Sequence, residues 1–360
     1  MKTKKFKILF LTALLAIILS GCSINFNPGA GIGGTGTGTT ADGGVYKSLD
    51  KGATWGQKAS ILTTGARRNI AMVDIISLAL DPGDNRAVYA GSRENGLYYS
   101  YDGGEGWQLA PYSNSVTVAN VAVDPADKCS IYATTANKVL KSIDCSRTWS
   151  TIYFDNDLKV SITSLVIEYS NSNNIFIGTS RGEIIKSSDQ GFSWKTLNRF
   201  GGQVDKIVIN PANSKNMLVG AANEIFRSLD SGANWTSLRE NLKNFNGGSG
   251  FRDLVIVRAD KPTVFLAVNY GLLSSTDGGD TWSKIELITP ETAAKINAVI
   301  VNPFEAKEIY YVTNTTFYRS LDGGKSWNTR QLPTSRAGWR LLIDPKNPSI
   351  IYMAVRQVNK

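Results

Sequence analysis

The sequence predicts an all-β protein, a closed seven-bladed β-propeller, and three observations support this prediction. The chain of 360 residues carries seven copies of the pattern Ser-x-Asp-x-Gly-x-x-Trp, whose tryptophans are 41 to 52 residues apart. Each interval contains short β-branched apolar segments separated by turn residues, enough for four strands, and no comparable run of helical periodicity. The two ends of the chain carry complementary half repeats. Repeats of this length with four strands each are typical of propeller blades.

The repeated pattern begins at Ser48, Ser100, Ser142, Ser187, Ser228, Ser275 and Ser320. It supplies the aspartates Asp50, Asp102, Asp144, Asp189, Asp230, Asp277 and Asp322 and the tryptophans Trp55, Trp107, Trp149, Trp194, Trp235, Trp282 and Trp327. These are seven of the eight tryptophans in the sequence. The third copy departs from the pattern, because Cys145 follows its aspartate and Ser146 stands in place of the glycine.

Each repeat is predicted to contain a strand, an Asp-Pro or Asn-Pro turn, a second strand that ends in small residues, a third strand, the Ser-x-Asp turn and a fourth strand led by tryptophan. Residues 77–82, 87–91 and 96–100 show the first three strands of one repeat. The chain starts with half a blade at residues 44–48 and ends with the other half at residues 339–345 and 350–355. Pairing of these halves closes the ring and removes exposed sheet edges, which gives six complete blades and one shared blade.

The first 22 residues are typical of an export signal. Lys2, Lys4, Lys5 and Lys7 precede a mostly apolar run at residues 8–19, which is too short to span a bilayer core of about 30 Å. The sequence Leu19-Ser20-Gly21-Cys22 resembles a bacterial lipobox, which predicts that Cys22 becomes the lipid-modified first residue. We therefore expect a signal peptide at residues 1–21, a lipid anchor and Gly/Thr-rich tether at 22–42, and the propeller at 43–360. The predicted location is the bacterial cell envelope, outside the cytoplasm.

Composition narrows the possible functions. The net charge of +9 falls to +5 once the signal is removed, so the basic balance does not indicate a nucleic-acid ligand. The sequence contains no histidine, which excludes Ser-His-Asp and Cys-His catalysis and histidine-ligated metal sites. We expect no catalytic residues, no metal and no cofactor.

The seven motifs resemble the Asp-box, or bacterial neuraminidase repeat, over nearly all of residues 43–356. The residue types suit a structural role, because the aspartate can accept N–H bonds in its own turn, the glycine permits a left-handed conformation, and the tryptophan can pack between blades. We therefore expect the seven aspartates to lie on the face opposite the ligand.

Families that share this repeat differ in function. In size and plan the chain is most similar to the photosystem II assembly and stability factor family, which implies a single exported propeller acting as a scaffold through an arginine-lined patch. Xyloglucanases, which use two facing seven-bladed propellers and two catalytic carboxylates, and sortilin-type propellers, which are larger, resemble it more distantly. Sialidases have six blades, and the Arg-Ile-Pro segment of sialidases does not occur here.

The predicted binding face is the one that carries the loops between blades and between the second and third strands. Arginine and large aromatic side chains are enriched at protein-binding hot spots, and arginine also pairs with carboxylates. The predicted ligand-binding residues are Arg67, Arg68, Arg93, Arg181, Arg199, Arg252, Arg336, Tyr112, Phe154, Phe200 and Tyr270. The same loops also contain Arg239, Arg330, Tyr153, Phe245 and Phe251.

The alternative prediction is a glycoside hydrolase or a carbohydrate-binding protein. The same face offers the carboxylates Glu94, Asp155, Asp157, Glu183, Glu224 and Glu240. A glycosidase needs two such groups about 5 to 9.5 Å apart, one with a raised pKa. Removal of an arginine should abolish binding by a scaffold, whereas removal of one carboxylate should abolish turnover by a hydrolase and leave binding intact.

Cys129 and Cys145 are predicted to form a disulfide. They lie at equal distances in sequence from residue 137, where the chain turns between two predicted strands, so they should face each other across the hairpin. Export into an oxidising compartment would favour the bond. Taken together, the sequence predicts a monomeric, lipid-anchored scaffold that binds an envelope or cell-surface protein or a glycan.

Overall fold

The computed structural model describes residues 41–63, 68–111, 115–257 and 262–358. Within these ranges the chain forms thirty β-strands and one 3-10 turn, Glu240–Leu242. None of the helical segments in these ranges is long and apolar enough to cross a membrane. Cys22 and the rest of residues 1–40, together with Arg67 and Tyr112, lie outside the described residues, so the predictions made for them stay predictions.

The chain begins with two strands of the last blade and a small hairpin. The two strands are β1, Val45–Ser48, and β2, Gly56–Lys58, and the hairpin consists of β3, Ser60–Ile61, and β4, Arg68–Asn69.

Three complete blades follow. Blade 1 contains β5, Ile75–Leu80, β6, Val88–Ser92, β7, Leu97–Ser100, and β8, Gln108–Leu109. Blade 2 contains β9, Asn120–Val123, β10, Ile131–Thr135, β11, Lys138–Ser142, and β12, Ser150–Phe154. Blade 3 contains β13, Ile162–Ile167, β14, Ile175–Thr179, β15, Glu183–Ser187, and β16, Lys195–Arg199.

Three further blades and the closing strands complete the ring. Blade 4 contains β17, Val204–Ile209, β18, Met217–Ala221, β19, Glu224–Ser228, and β20, Thr236–Ser237. Blade 5 contains β21, Phe251–Val257, β22, Thr263–Val268, β23, Gly271–Ser275, and β24, Ser283–Ile285. Blade 6 contains β25, Ala298–Asn302, β26, Glu305–Val312, β27, Thr316–Ser320, and β28, Asn328–Gln331. Blade 7 adds β29, Ala337–Ile343, and β30, Ile351–Arg356, to β1 and β2.

The predicted seven-bladed propeller is confirmed. Within each blade the strands pair in antiparallel order, and the first strands of successive blades pack against one another around a common axis. The ring closes as predicted, because the N-terminal β1 pairs with the C-terminal β30 from Val45 opposite Ala354 to Ser48 opposite Ile351. Pairing between the two ends of the chain makes closure a property of the whole fold and leaves no half-blade edge open.

Antiparallel order gives the ring two different faces. The loops that connect successive blades and the turns between second and third strands lie on one face, which we call the loop face. The turns between first and second strands and the seven Ser-x-Asp turns lie on the other, which we call the turn face.

The Ser-x-Asp turns on the turn face satisfy their own polar groups. In each turn the buried serine hydroxyl donates to its aspartate at 2.6 to 2.9 Å and accepts the N–H of the fourth residue after it. The indole N–H of Trp107, Trp194 and Trp327 reaches a carbonyl of the preceding blade. The aspartates therefore hold the turns, and the tryptophans link neighbouring blades.

Small residues end the second strands because the next blade approaches them closely. A Cβ at Gly91 would lie 2.5 Å from the Val118 carbonyl oxygen, and one at Gly178 would lie 2.4 Å from Val204. Glycine leaves room for the first strand of the next blade in both places.

A disulfide joins Cys129 and Cys145, whose Cα atoms are 4.0 Å apart. It ties the turn between the first and second strands of blade 2 to the Ser-x-Asp turn of the same blade. Ser146, which replaces the motif glycine there, adopts a positive φ of 67°. The disulfide thus reinforces the one Ser-x-Asp turn in which a residue other than glycine occupies the motif glycine position.

Candidate functional site

The first strands of the seven blades surround an axial cavity of about 510 Å³ that opens on the loop face. Each blade contributes one side chain at an equivalent position near the start of its first strand. These side chains form the mouth ring: Ile76, Ala119, Thr163, Asp205, Arg252, Asn297 and Trp339. The mouth ring therefore contains seven different side chains at one structural position.

A β-bulge presents five of these side chains. The pairing register shifts by one residue between the first and second strands of five blades, and the extra residue is the mouth-ring residue each time: Ile76, Thr163, Asp205, Arg252 and Trp339. A bulge leaves the extra residue out of the ladder and re-aims its side chain. The local backbone thus directs one variable side chain to the cavity in each of these five blades.

The cationic side of the cavity lies at blade 7. The guanidinium carbon of Arg356 is 3.1 Å from the centre of the Trp339 ring, and that of Arg340 is 5.4 Å from it. Burial, together with the charges of Arg93 and Arg340, lowers the pKa of Arg356 to about 10. Stacking on an indole stabilises a guanidinium but leaves its charge uncompensated.

These cations have no acidic partner among the described residues. Arg93, Arg252, Arg340 and Arg356 form no ion pair within the described ranges, and the buried Nε of Arg356 has no hydrogen-bond acceptor there. Asp74 attracts Arg356, but its carboxylate also accepts hydrogen bonds from Arg336 and from the N–H of Gln357. Clustered cations of this kind can pair with an anion.

The two carboxylates of the cavity have hydrogen-bond partners within the protein. Asp253 is buried and accepts hydrogen bonds from Lys206 Nζ at 2.6 Å and from the N–H of Val299 at 2.9 Å, so it joins blades 4, 5 and 6. Burial raises the pKa of Asp205, against the effect of a hydrogen bond from Gln203 at 2.8 Å. Within the described residues no group of three acidic or cysteine side chains could hold a metal ion.

The structure divides the predicted ligand-binding residues. Arg68, Arg93, Arg252 and Phe154 are exposed, and of these Arg252 lines the axial cavity. Tyr270 is partly buried and its hydroxyl donates to Glu291 at 2.5 Å.

Two predicted residues are not available to a ligand, which corrects the prediction. Arg336 is only 3% exposed and pairs with Asp42 and Asp74, so it fastens the two ends of the chain near the start of blade 1. Phe200 is 8% exposed and packs against Phe226 and Trp235 between blades 3 and 4. The sequence places both in loops, but the loops fold these side chains inward.

Most of the carboxylates considered for catalysis have cationic partners. Arg181 pairs with Asp155 at 2.9 Å and with Glu183 at 2.7 Å, and Arg199 pairs with Glu183 as well. Burial raises the pKa of Glu183, but the hydrogen bonds from both arginines outweigh it and hold the pKa below its usual range. A general acid needs the opposite shift.

The remaining acidic candidates are similarly arranged. Glu224 pairs with Arg239 at 2.8 Å, Glu240 pairs with Lys243 at 3.4 Å, and Asp157 lies 4.0 Å from Arg181. Glu94 is exposed. The ion pairs with Asp155, Asp157 and Glu183 also neutralise Arg181 and Arg199 on the predicted binding face.

Sequence reasoning missed Trp339, Arg340 and Arg356 as site residues. The available signal was Trp339 itself, the eighth tryptophan and the one outside the repeated pattern. A large aromatic residue without a structural position in the repeat is a candidate for binding, and its neighbour Arg340 follows directly.

Comparison with known proteins agrees with the architecture. Residues 270–360 match the family described as sortilin, neurotensin receptor 3. A xyloglucanase of a Paenibacillus species is 25% identical over 330 residues, which cover 77% of this chain and 30% of the relative. The chain thus spans about a third of the length of that curated relative.

Two solved structures show the same fold. The GH74 xyloglucanase from Xanthomonas campestris is 17% identical with a TM-score of 0.62, covering 78% of this chain and 51% of the other. YCF48 bound to D1 peptide is 14% identical with a TM-score of 0.61, covering 80% of this chain and 94% of the other. The predicted propeller and its resemblance to these groups are confirmed.

Proposed function

We propose that this protein is a non-catalytic, lipid-anchored scaffold of the bacterial envelope that binds an anionic segment of another protein at its loop face. The observation that supports this most directly is the cluster of Arg93, Arg340 and Arg356 around Trp339, which has no carboxylate partner among the described residues. A carboxylate-bearing ligand would complete the missing ion pairs and remove like-charge repulsion within the cluster.

A protein of the same fold, YCF48, is bound to a peptide, the D1 peptide, and this supports the proposal of a polypeptide ligand. The arrangement of carboxylates favours binding over hydrolysis. Glu183 and Asp155 are engaged by arginine, and Asp253 is engaged by lysine and backbone N–H groups. Burial raises the pKa of Asp205, as a general acid requires, but neither pattern supplies the free carboxylate that glycoside hydrolysis needs beside such an acid.

Affinity capture tests the proposal. Detergent-solubilised full-length protein is incubated with envelope proteins from the source cells, alongside an Arg340→Gln/Arg356→Gln variant. The control is Arg86→Gln/Arg147→Gln, which removes the same charge from exposed positions on the turn face. A partner should be retained by the native protein and by the control and lost by the loop-face variant. Equal retention by all three would contradict the proposal.

The second candidate is a xyloglucan-binding or xyloglucan-cleaving protein, favoured by the 25% identity to a xyloglucanase over most of this chain. Incubation with xyloglucan and analysis of the products test it. Release of oligosaccharides that Asp205→Asn or Asp253→Asn abolishes, with binding retained, would support the hydrolase and overturn the scaffold.

The lipid anchor has its own test. The native chain should fractionate with membranes and incorporate a labelled fatty acid, whereas Cys22→Ser should do neither. Membrane association of the Cys22→Ser protein without acylation would show that another part of the chain makes the attachment.

A further inference from the structure

The axial cavity continues into a groove on the loop face of blade 2. The groove has a volume of about 580 Å³ and shares Ala119, Ser161 and Ile162 with the lining of the axial cavity. The site is therefore an elongated depression that begins at Trp339 in blade 7, passes over the mouth ring and runs outward along blade 2.

The two ends of this depression differ in chemistry. The blade 2 groove is lined mostly by small and apolar side chains, among them Val116, Ala119, Thr135 and Ala136. Its lining residues include one cation, Lys138, and no carboxylate. Phe154, the last residue of β12, pairs with Lys138 of the groove, and Leu158 lies in the loop that follows; the two are 61% and 84% exposed. The N–H of Asp155, in that loop, bonds the carbonyl of Asn137 in the groove wall at 2.9 Å. This end is suited to apolar side chains.

The other end carries positive charge. Arg340 and Arg356 flank the Trp339 ring, and Arg93 lies near enough to Arg356 to lower its pKa. An extended polypeptide can place charged residues at one end of such a depression and apolar residues at the other, and charge complementarity then fixes its direction.

We propose that the site binds an extended polypeptide in one direction, an inference that rests on the proposed function. The acidic residues of the ligand lie against Arg340 and Arg356, and its small or apolar residues lie in the blade 2 groove. The mouth ring between the two ends contacts the middle of the ligand, so a single segment contacts both.

Three fluorescently labelled synthetic peptides of identical composition, and a fourth that lacks glutamate, test this inference by anisotropy with the full-length protein. One has its glutamates at the N-terminal end and its apolar residues at the C-terminal end, the second has the reverse order, and the third alternates them. A fourth replaces every glutamate with glutamine. One of the two segregated orders should bind about tenfold more tightly than the other and than the alternating peptide, and the glutamine peptide should bind weakest.

Two variants separate the ends of the site. Arg356→Gln should weaken the preferred peptide about tenfold and reduce the salt dependence of binding. Ser161→Trp, which fills the shared region, should abolish the preference for one order and preserve the salt dependence. The matched control is Thr151→Trp, at an exposed position on β12, the outer strand of blade 2. It should change neither the preference for one order nor the salt dependence.

The outcomes distinguish the two proposals. Equal binding of all three glutamate peptides, with no effect of Ser161→Trp, would overturn the directional site and leave the anionic scaffold standing. If no peptide binds and a xyloglucan oligosaccharide does, the scaffold proposal itself fails.

Discussion

The two faces of this ring differ in how their polar side chains are repeated and paired. On the turn face, seven nearly identical turns use a buried serine hydroxyl and backbone N–H groups to satisfy each aspartate. On the loop face, the same blades present different side chains at one position, from Ile76 to Trp339, and leave Arg340 and Arg356 without acidic partners among the described residues. The comparison teaches that the repeated residues hold the ring together and that the residues which vary between blades are the ones available for recognition.

Arg336 is a buried and paired arginine on the loop face, and its removal should have the largest effect on stability. Arg336→Gln leaves Asp42 and Asp74 without their cation in a buried setting, so the free energy of unfolding should fall by about 3–5 kcal/mol. Denaturant unfolding measures the loss. Arg340→Gln, an exposed arginine of the same face, is the control and should change stability by no more than about 0.5 kcal/mol. Equal effects would show that burial does not separate the two arginines.

The disulfide of the turn face should have the next largest effect. It closes a loop between residues 16 positions apart, so Cys129→Ser/Cys145→Ser should lower the free energy of unfolding by about 3 kcal/mol. Unfolding of the native protein with and without reductant provides an independent comparison. A reduced native protein as stable as the oxidised one would contradict this prediction.

A serine hydroxyl within one turn should matter less. Ser187→Ala removes the group that donates to Asp189 and accepts the N–H of Gly191, so stability should fall by about 1–3 kcal/mol. Ser193→Ala removes an exposed hydroxyl from the same aspartate and should cost less than about 1 kcal/mol. Neither change should weaken ligand binding at the loop face. A loss of binding in Ser187→Ala protein that is fully folded would break the separation of the two faces.

Lowering the pH should reduce the stability of the folded protein by a still smaller amount for each Ser-x-Asp turn. Hydrogen bonds from the hydroxyl and N–H of Ser193 hold the pKa of Asp189 at about 2, below its ordinary value of 3.8. The pKa is lowered in the folded protein, so this stabilisation is complete above about pH 4 and is lost as the pH falls toward 2. Melting temperatures between pH 7 and pH 2 should show the decline, and Asp189→Asn should make it shallower. An identical pH profile for the variant would show that Asp189 does not contribute.

The repeated parts of the structure could be predicted from the sequence because each depends on local residues. Serine, aspartate and tryptophan at fixed spacing specify the turns, and the half repeats at the two ends specify how the ring closes. The binding site depends on placement across blades. Arg340 and Arg356 are distant from Arg93 in sequence and meet only because β29 and β30 lie beside blade 1.

The sequence also could not predict which loop side chains are buried. Arg336 and Arg93 both stand in loops of the same face, yet Arg336 is buried between two aspartates and Arg93 is exposed. Only the packed structure distinguishes an arginine that is already paired from one that can pair with a ligand.

Site-specific photocrosslinking in intact cells tests most directly whether the loop face is the binding face. p-Benzoylphenylalanine is placed at Trp339 in the mouth ring or at Tyr101, which is 41% exposed on the turn face. A crosslinked protein partner is expected from position 339, lost when Arg340→Gln/Arg356→Gln is added, and none is expected from position 101. A partner captured from position 101 and not from 339 would contradict the assignment of the two faces.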